Sequence, residues 1–252
     1  MPLKEEIGLG SIIREQEIWR FYPMWKARDF LETGELYLTQ VSELRKEDPQ
    51  ESRLPAVLQE SFSRLQVSSA ARELLNEFIR VCEEQATGVF ASCWFLPGSP
   101  SQEERMWTKY GGGSEGGLVL ITTVERLISS LPDDMMLSFG IGSIRYIPPT
   151  MSYFEAFHLN EYRSAPFLLK LHDHQDDREI RVYQRHRGPL RYPHCLRPRI
   201  NVVKLLQGIR LSPLCSEKIQ KKIYEELIGY GFPKRLIKQE RLTISSRQLK
   251  RI

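Results

Sequence analysis

The chain predicts an α+β fold with a mixed, largely antiparallel sheet core and flanking helices, on three observations. Roughly seven or eight strand-like and five helix-like segments alternate without the regular βαβ rhythm of a doubly wound fold. No internal repeat or low-complexity linker divides them, so one α+β domain over residues 1–252 is the expectation. Hydrophobic residues make up 41% and charged residues 27% of the 252, the balance of a globular chain with a sizeable core.

The elements follow in order. "EIWRFYP" (17–23) is an apolar strand closed by Pro23, and "MWKARDFLETG" a helix stopped by Gly34. "ELYLTQV" (35–41) alternates with period two, as a half-buried strand does. Residues 69–88 place Leu74, Leu75, Phe78, Ile79 and Cys82 at helical spacing and end on Gly88. "VFASCWF" (89–95) is a continuously apolar strand, followed by the helical "SQEERMWTKYGGG" with acids in its first turn. "GLVLITT" and "MMLSFGIGSIRYI" are strands on either side of the helical "VERLISSL". Residues 153–171 suggest helical pieces broken at Pro166. "REIRVYQ", "RINVVKLL" and "GIRLSP" are read as strands, and "SEKIQKKIYEELIGYG" as an amphipathic helix capped by Ser216 and stopped at Gly229.

Composition narrows the function classes. No apolar run reaches the roughly 18 residues of a bilayer span, and the charged start lacks a signal-peptide pattern, so a cytoplasmic chain without membrane contact is expected. Cys82, Cys93, Cys195 and Cys215 form no C-x-x-C pair, which argues against a disulfide framework or zinc ribbon. Charge is uneven: residues 1–180 hold 18 Lys and Arg against 28 Asp and Glu, whereas 181–252 hold 18 against 4. A cationic final third suits a polyanion such as nucleic acid, and equally suits the acidic remainder of the chain.

Several stretches, in order, carry a resemblance: "IWRFYP", "FLETGELYLTQVSEL" leading to "DPQE", "SCWF", "RMWTKY" with "GGLVLIT", "IRYIP", "FLLK", "DREIR", "LQGIRLSP" and "LTISS". Together they resemble the bacterial domain-of-unknown-function family 2971 over nearly the whole chain. The family's "NDP.E" is represented by Asp48, Pro49 and Glu51, with Glu47 in place of the Asn. Its "CFS" becomes Cys93, Trp94 and Phe95, with Ser92 standing just before. Its "E.E.R" becomes Asp177, Glu179 and Arg181. The family name states no activity, so the resemblance implies positions and not a reaction.

Those positions suggest chemistry in "HDHQDDREIRVY" (172–183). On a strand, Asp177, Glu179 and Arg181 share one face, while His172, His174 and Asp176 share the other. The His-x-His set is either a metal pair or a solvated polar loop, and no bound metal is expected. Asp177-x-Glu179 resembles the catalytic element of ADP-ribosyltransferases, in which the second acid stabilises an oxocarbenium charge during NAD cleavage. An ADP-ribosyltransferase-like version of the α+β fold is the matching structural expectation. Such an enzyme needs a guanidinium for the dinucleotide phosphates, for which Arg20 is placed, and an aromatic platform, for which Trp107 and Tyr110 are candidates. Ser92 completes the cofactor set. The bland alternatives are a Glu179–Arg181 ion pair, a core Trp107, and an Arg20 paired with Asp48 or Glu51. "YGGGSEGG" lacks the Gly-Lys-Ser/Thr ending of a phosphate loop and is taken as a connection.

The segment from Arg181 to Lys204 holds Arg185, Arg187, Arg191, Arg197 and Arg199 with interleaved Tyr183 and Tyr192, a composition for single-stranded nucleic acid or for a solvated loop. Cys93 with His158 is a nucleophile pair only on paper, because Cys93 lies in an apolar strand. Three functions follow. The leading one is an NAD-consuming, ADP-ribosyltransferase-like enzyme in stress or phage defence, with NAD as co-substrate, Glu179 and Asp177 catalytic, and nucleic acid as one acceptor. The others are a metal-dependent nuclease using Asp48, Glu51, Asp177 and Glu179, and a non-enzymatic interaction module in which these residues are scaffold.

Overall fold

The structure is a computed structural model describing residues 3–7, 14–49, 51, 53, 60, 68–132, 139–148, 150–151, 165–186 and 194–238. Along the chain run β1 (Leu3–Ile7), β2 (Glu17–Pro23), α1 (Met24–Thr33), β3 (Leu38–Gln40), α2 (Val41–Leu44), α3 (Ser69–Gly88) and β4 (Val89–Phe95). Next come α4 (Pro100–Tyr110), β5 (Gly117–Thr123), α5 (Val124–Ser130), β6 (Phe139–Ser143), β7 (Arg145–Ile147), β8 (Leu169–Leu171), β9 (Glu179–Arg185) and β10 (Cys195–Leu196). The chain continues through α6 (Val202–Leu205), β11 (Gly208–Leu211), α7 (Glu217–Gly229) and β12 (Ile237–Lys238). The class is α+β, with mixed, mostly antiparallel sheets.

Two compact units are built from interleaved segments. The first comprises residues 1–16, 35–96 and 131–200; the second comprises 17–34, 97–130 and 201–252.

In the first unit β6, β9 and β4 are antiparallel neighbours, β1 adds in parallel to β6, and β3 and β10 continue from β4. A separate parallel pair, β7 and β8, sets Tyr146 beside Lys170. The strands form because apolar residues dominate them: Phe90, Trp94, Ile180, Val182, Phe139 and Ile141 are buried. The opposite face of β9 and β4 meets a second apolar cluster in which Val89, Ala91 and Tyr183 pack with Ala86 of α3 and with Phe167, Leu168 and Leu169. Helix α3 reaches this cluster with Leu75 and Phe78 of its expected stripe and with Ala86 beyond it, whereas Leu74 of that stripe is exposed.

In the second unit β2 and β5 pair along their full length, β11 pairs antiparallel with β5, and β12 adds in parallel. Helix α1 ends where Gly34 takes a left-handed conformation and donates its N–H to the Phe30 carbonyl. Helix α4 begins one residue before the expected segment, at Pro100, with a reciprocal capping box between Ser99 and Gln102. Helix α7 is capped as expected by the Ser216 side chain.

Four local expectations need correction. Residues 199–206 are not a strand: the Asn201 side chain accepts from the Lys204 N–H and starts the short helix α6, overriding the β-preference of Val202 and Val203. His172–Asp177 is a 3-10 helix and not the start of a strand, because Arg178 in a left-handed conformation (φ 41°) ends it and redirects the chain into β9. Within 165–171 the chain forms a 3-10 turn over Pro166–Leu168 and then β8, where helical pieces were expected. Helix α7 includes Gly229; the residue with positive φ beyond it is Gly231. The expectations for residues 152–164 and for "LTISS" lie outside the described residues.

Candidate functional site: a buried ion cluster

An arginine in the apolar strand "EIRVYQR" must find compensation for its charge, since an isolated buried ion costs far more than a strand gains. Arg181 is 0% exposed. Its Nε donates to Glu179 Oε1 at 2.6 Å. Its Nη1 and Nη2 form a fork with the two oxygens of Glu51, at 2.7 and 3.0 Å, and Nη1 also donates to the Phe167 carbonyl at 2.6 Å. Planar geometry makes this fork an arginine task that lysine cannot reproduce.

Strand periodicity puts Glu179, Arg181 and Tyr183 on one face of β9. Cys93 of β4 stands opposite Arg181, and on the other flank β6 presents Gly142 opposite Arg181 and Gly140 opposite Tyr183. Gly140 is required by close approach: a Cβ there would lie 2.3 Å from Tyr183 Cζ.

Glu51 arrives through a turn in which its N–H donates to the Asp48 carbonyl at 2.9 Å, with Pro49 between them. Arg45 ties the turn down by donating to the Glu51 carbonyl at 3.0 Å and pairing with Glu83 of α3 at 2.6 Å. The β7–β8 pair delivers two further groups. Lys170 Nζ lies 3.1 Å from Glu179 Oε2, 3.5 Å from Asp177 and 4.0 Å from Glu51. The Tyr146 hydroxyl accepts the Glu179 N–H at 2.9 Å. At the outer margin His174 stands 3.4 Å from Asp48 through Nε2 and 3.9 Å from Asp177 through Nδ1.

Burial by itself would favour the neutral form of each buried group, and the neighbouring charges reverse this. The Glu179 carboxyl would be pushed up by desolvation, but Arg181, Lys170 and a hydrogen bond from the Cys93 thiol hold it well below the usual carboxylate range. Lys170 would be pushed down by burial, yet the carboxylates of Glu179 and Glu51 keep it firmly charged. Arg181 is likewise held protonated against burial by Glu179 and Glu51. Cys93 goes the other way: burial and then the Glu179 charge push its thiol up to about 12, so it serves as a donor and not as a thiolate nucleophile at neutral pH.

A depressed carboxyl makes a signed prediction. The stability that Glu179 contributes is fully present above the ordinary carboxylate value, roughly 4.3, and is lost as pH falls through its lower folded value. Denaturant titrations between pH 7 and 2 should show an acid limb that becomes shallower in Glu179→Gln. An identical limb in both proteins would rule out this contribution.

The cluster gathers Asp177 and Glu179 as their spacing suggests, although Asp177 joins from the 3-10 helix through Lys170 and not from the strand. Asp48 and Glu51 join them, but around two cations and an imidazole; among the described residues no three His, Cys, Asp or Glu side chains form a metal-holding group. Two members stand in the sequence only as parts of motifs, Tyr146 of "IRYIP" and Lys170 of "FLLK", and Cys93 enters as a thiol donor and not as half of a nucleophile pair. Their signal was the pairing demand of a buried Arg181 and Glu179.

The remaining candidates are placed as follows. Ser92 is buried in the first unit and accepts from Trp94 Nε1 at 3.1 Å. Arg20, Trp107 and Tyr110 belong to the second unit. The Arg20 guanidinium lies 5.0 Å from the Tyr22 ring centroid, and the Lys109 ammonium 4.8 Å from that of Tyr110. Trp107 is 2% exposed and packs edge-to-face on Phe21 at 4.9 Å, a core placement. Arg185 lies over Phe167 and Tyr183, Arg197 pairs with Glu35 at 3.0 Å, and Arg199 is exposed and bridges Glu35 through its backbone. Arg187, Arg191, His158, Tyr192 and the His172 side chain lie outside the described residues. No helix of the described residues is long and apolar enough to cross a membrane.

No family model, curated protein or solved structure matches this chain.

Proposed function

We propose that the chain is a non-enzymatic interaction module in which the ion cluster is scaffold and the cationic final third supplies the docking charge. One observation carries this reading: both oxygens of Glu179 are engaged, Oε1 by Arg181 and Oε2 by Lys170, on a residue 7% exposed. A carboxylate that must meet a ribose and a developing oxocarbenium charge needs a free oxygen facing substrate. Here that oxygen instead closes a chain of pairs that clamps the Asp48–Glu51 turn and the β7–β8 pair onto β9.

The NAD-consuming, ADP-ribosyltransferase-like reading is retained as a second proposal because of the convergence itself. Charged residues of three separate motifs meet at one place, as they do in active sites, and the outer margin at His174 and Asp177 reaches solvent.

One experiment separates the two. Labelled NAD is incubated with the parent and with Glu179→Gln, and both are melted. The scaffold reading expects no turnover by the parent beyond a heat-killed control, and a loss of roughly 3 kcal/mol in the variant from breaking a buried pair. Turnover by the parent that vanishes in a variant of unchanged stability would overturn it in favour of catalysis.

A further inference from the structure

The second unit carries an exposed aromatic side chain together with exposed lysines on two helices. Trp25 of α1 is 64% exposed, whereas the three other tryptophans, Trp19, Trp94 and Trp107, are buried. A surface tryptophan forgoes the burial that dominates its use elsewhere in this chain. The Lys26 ammonium stands 5.1 Å from its ring centroid.

Helix α7 lies alongside α1 in a fixed register. Arg28 pairs with Glu226 at 2.6 and 3.0 Å, and the Tyr230 hydroxyl donates to Glu32 at 2.7 Å. Both contacts join residues 198 apart, so each advances four residues on both helices, which makes the helices parallel. Carrying that register back one turn sets Trp25 level with Lys222 and Ile223. Lys222 precedes Glu226 by four residues, on the α7 stripe that meets α1. Lys218 lies one further turn back on the same side, and Lys221 flanks it. Ile223 and Leu227 turn inward, which leaves these lysines outward. Lys218 and Lys222 make no ion pair among the described residues. Parallel helices also direct their positive dipole ends the same way.

We propose that this α1–α7 face binds single-stranded nucleic acid, with Trp25 stacking on a base and Lys26, Lys218 and Lys222 meeting phosphates. The proposal rests on the interaction-module reading, and names its partner and its place. A flat exposed ring with flanking ammonium groups matches a base with its neighbouring phosphates, whereas an acidic protein surface needs the cations but not the ring. The site differs from the arginine segment 185–199, in which Arg185 covers aromatic rings and Arg197 is paired with Glu35.

The test is a fluorescence-anisotropy titration of a dye-labelled oligodeoxythymidine with the full chain, repeated with dye-labelled polyglutamate, with the intrinsic emission of the parent followed alongside. Binding of the oligonucleotide should quench the Trp25 emission. Trp25→Ala should weaken it about tenfold, the loss of one base stack, while Trp25→Phe keeps most of the affinity. The double variant Lys218→Gln/Lys222→Gln should reduce the slope of log affinity against log salt by about 1.4, at about 0.7 per single-strand phosphate contact. The substituted side chains are exposed, and circular dichroism verifies that each variant is folded. Parent protein that fails to bind the oligonucleotide overturns the proposal. So does Trp25→Ala with parental affinity, and binding of polyglutamate with equal strength points to an acidic protein instead. None of these outcomes touches the NAD experiment, whose failure would remove the module reading alone.

Discussion

Arg181→Met should be the most damaging single substitution in the first unit, costing about 3–5 kcal/mol, a large part of the roughly 5–15 kcal/mol that a typical domain possesses. The cost does not arise from lost attraction alone. Removing the guanidinium leaves Glu51 and Glu179 buried, with Lys170 as the remaining nearby cation, and leaves the Phe167 carbonyl without its donor. Three comparisons identify the cause. Arg181→Lys should recover only part of the loss, because an ammonium cannot span the Glu51 fork, Glu179 and the carbonyl together. Acid should narrow the gap between parent and Arg181→Met: one ammonium cannot neutralise two buried carboxyls, so the pair takes up a proton at a raised value, and protonation stabilises the variant as pH falls from 7 towards 4. Finally, trypsin should cut after Arg53 faster in the variant, since the Asp48–Glu51 turn loses its attachment to β9. Urea melts at two pH values and a proteolysis time course measure all three. A variant within 1 kcal/mol of the parent at pH 7, judged against the same buried-pair cost, would show that the cluster is not the clamp described.

The sheet and helices were legible where one periodicity dominates, as in residues 69–88, 89–95 and 17–23. Short segments were misread where a single side chain redirects the backbone. Val202 and Val203 carry strand propensity, but the Asn201 cap starts a helix and leaves Val203 at the surface. The alternating histidines of 172–177 imitate a strand, and the left-handed Arg178 lies at the real boundary. The candidate site was legible in its membership and not in its geometry. Asp48, Glu51, Asp177, Glu179 and Arg181 were all singled out, yet the decisive pair, Arg181 with Glu51, joins positions 130 residues apart. Sequence spacing says nothing about such a contact. What sequence does carry is the demand: a guanidinium flanked by Ile180 and Val182 in a strand heading for the core has to be neutralised by acids from elsewhere. Trp107 shows the reverse error. Its spacing offers an aromatic platform, while packing against Phe21 gives its ring to the core.

Gly140→Ala should be nearly as disruptive as the arginine change, although it adds one methyl group. The new Cβ would fall 2.3 Å from Tyr183 Cζ, 2.5 Å from Cε2 and 2.5 Å from the hydroxyl, well inside any real carbon contact. Tyr183 cannot simply swing away. It is fully buried, packs edge-to-face on Phe167 at 4.7 Å, and lies under Arg185. Phe167 in turn supplies the carbonyl that Arg181 donates to, so displacement of the ring reaches the ion cluster. Overpacking of this kind costs about 1–3 kcal/mol, and a rigid ring on a central strand belongs at the upper end. A double-mutant cycle isolates the cause. Tyr183→Leu alone leaves a void and should be destabilising, but in its presence Gly140→Ala should cost at least 1 kcal/mol less than it does alone, because the colliding ring has gone. The coupling is readable from thermal or urea melts of four proteins. Additive losses in that cycle would mean that the alanine acts through backbone propensity in β6, and the glycine would then have no part in making room on the Arg181 face.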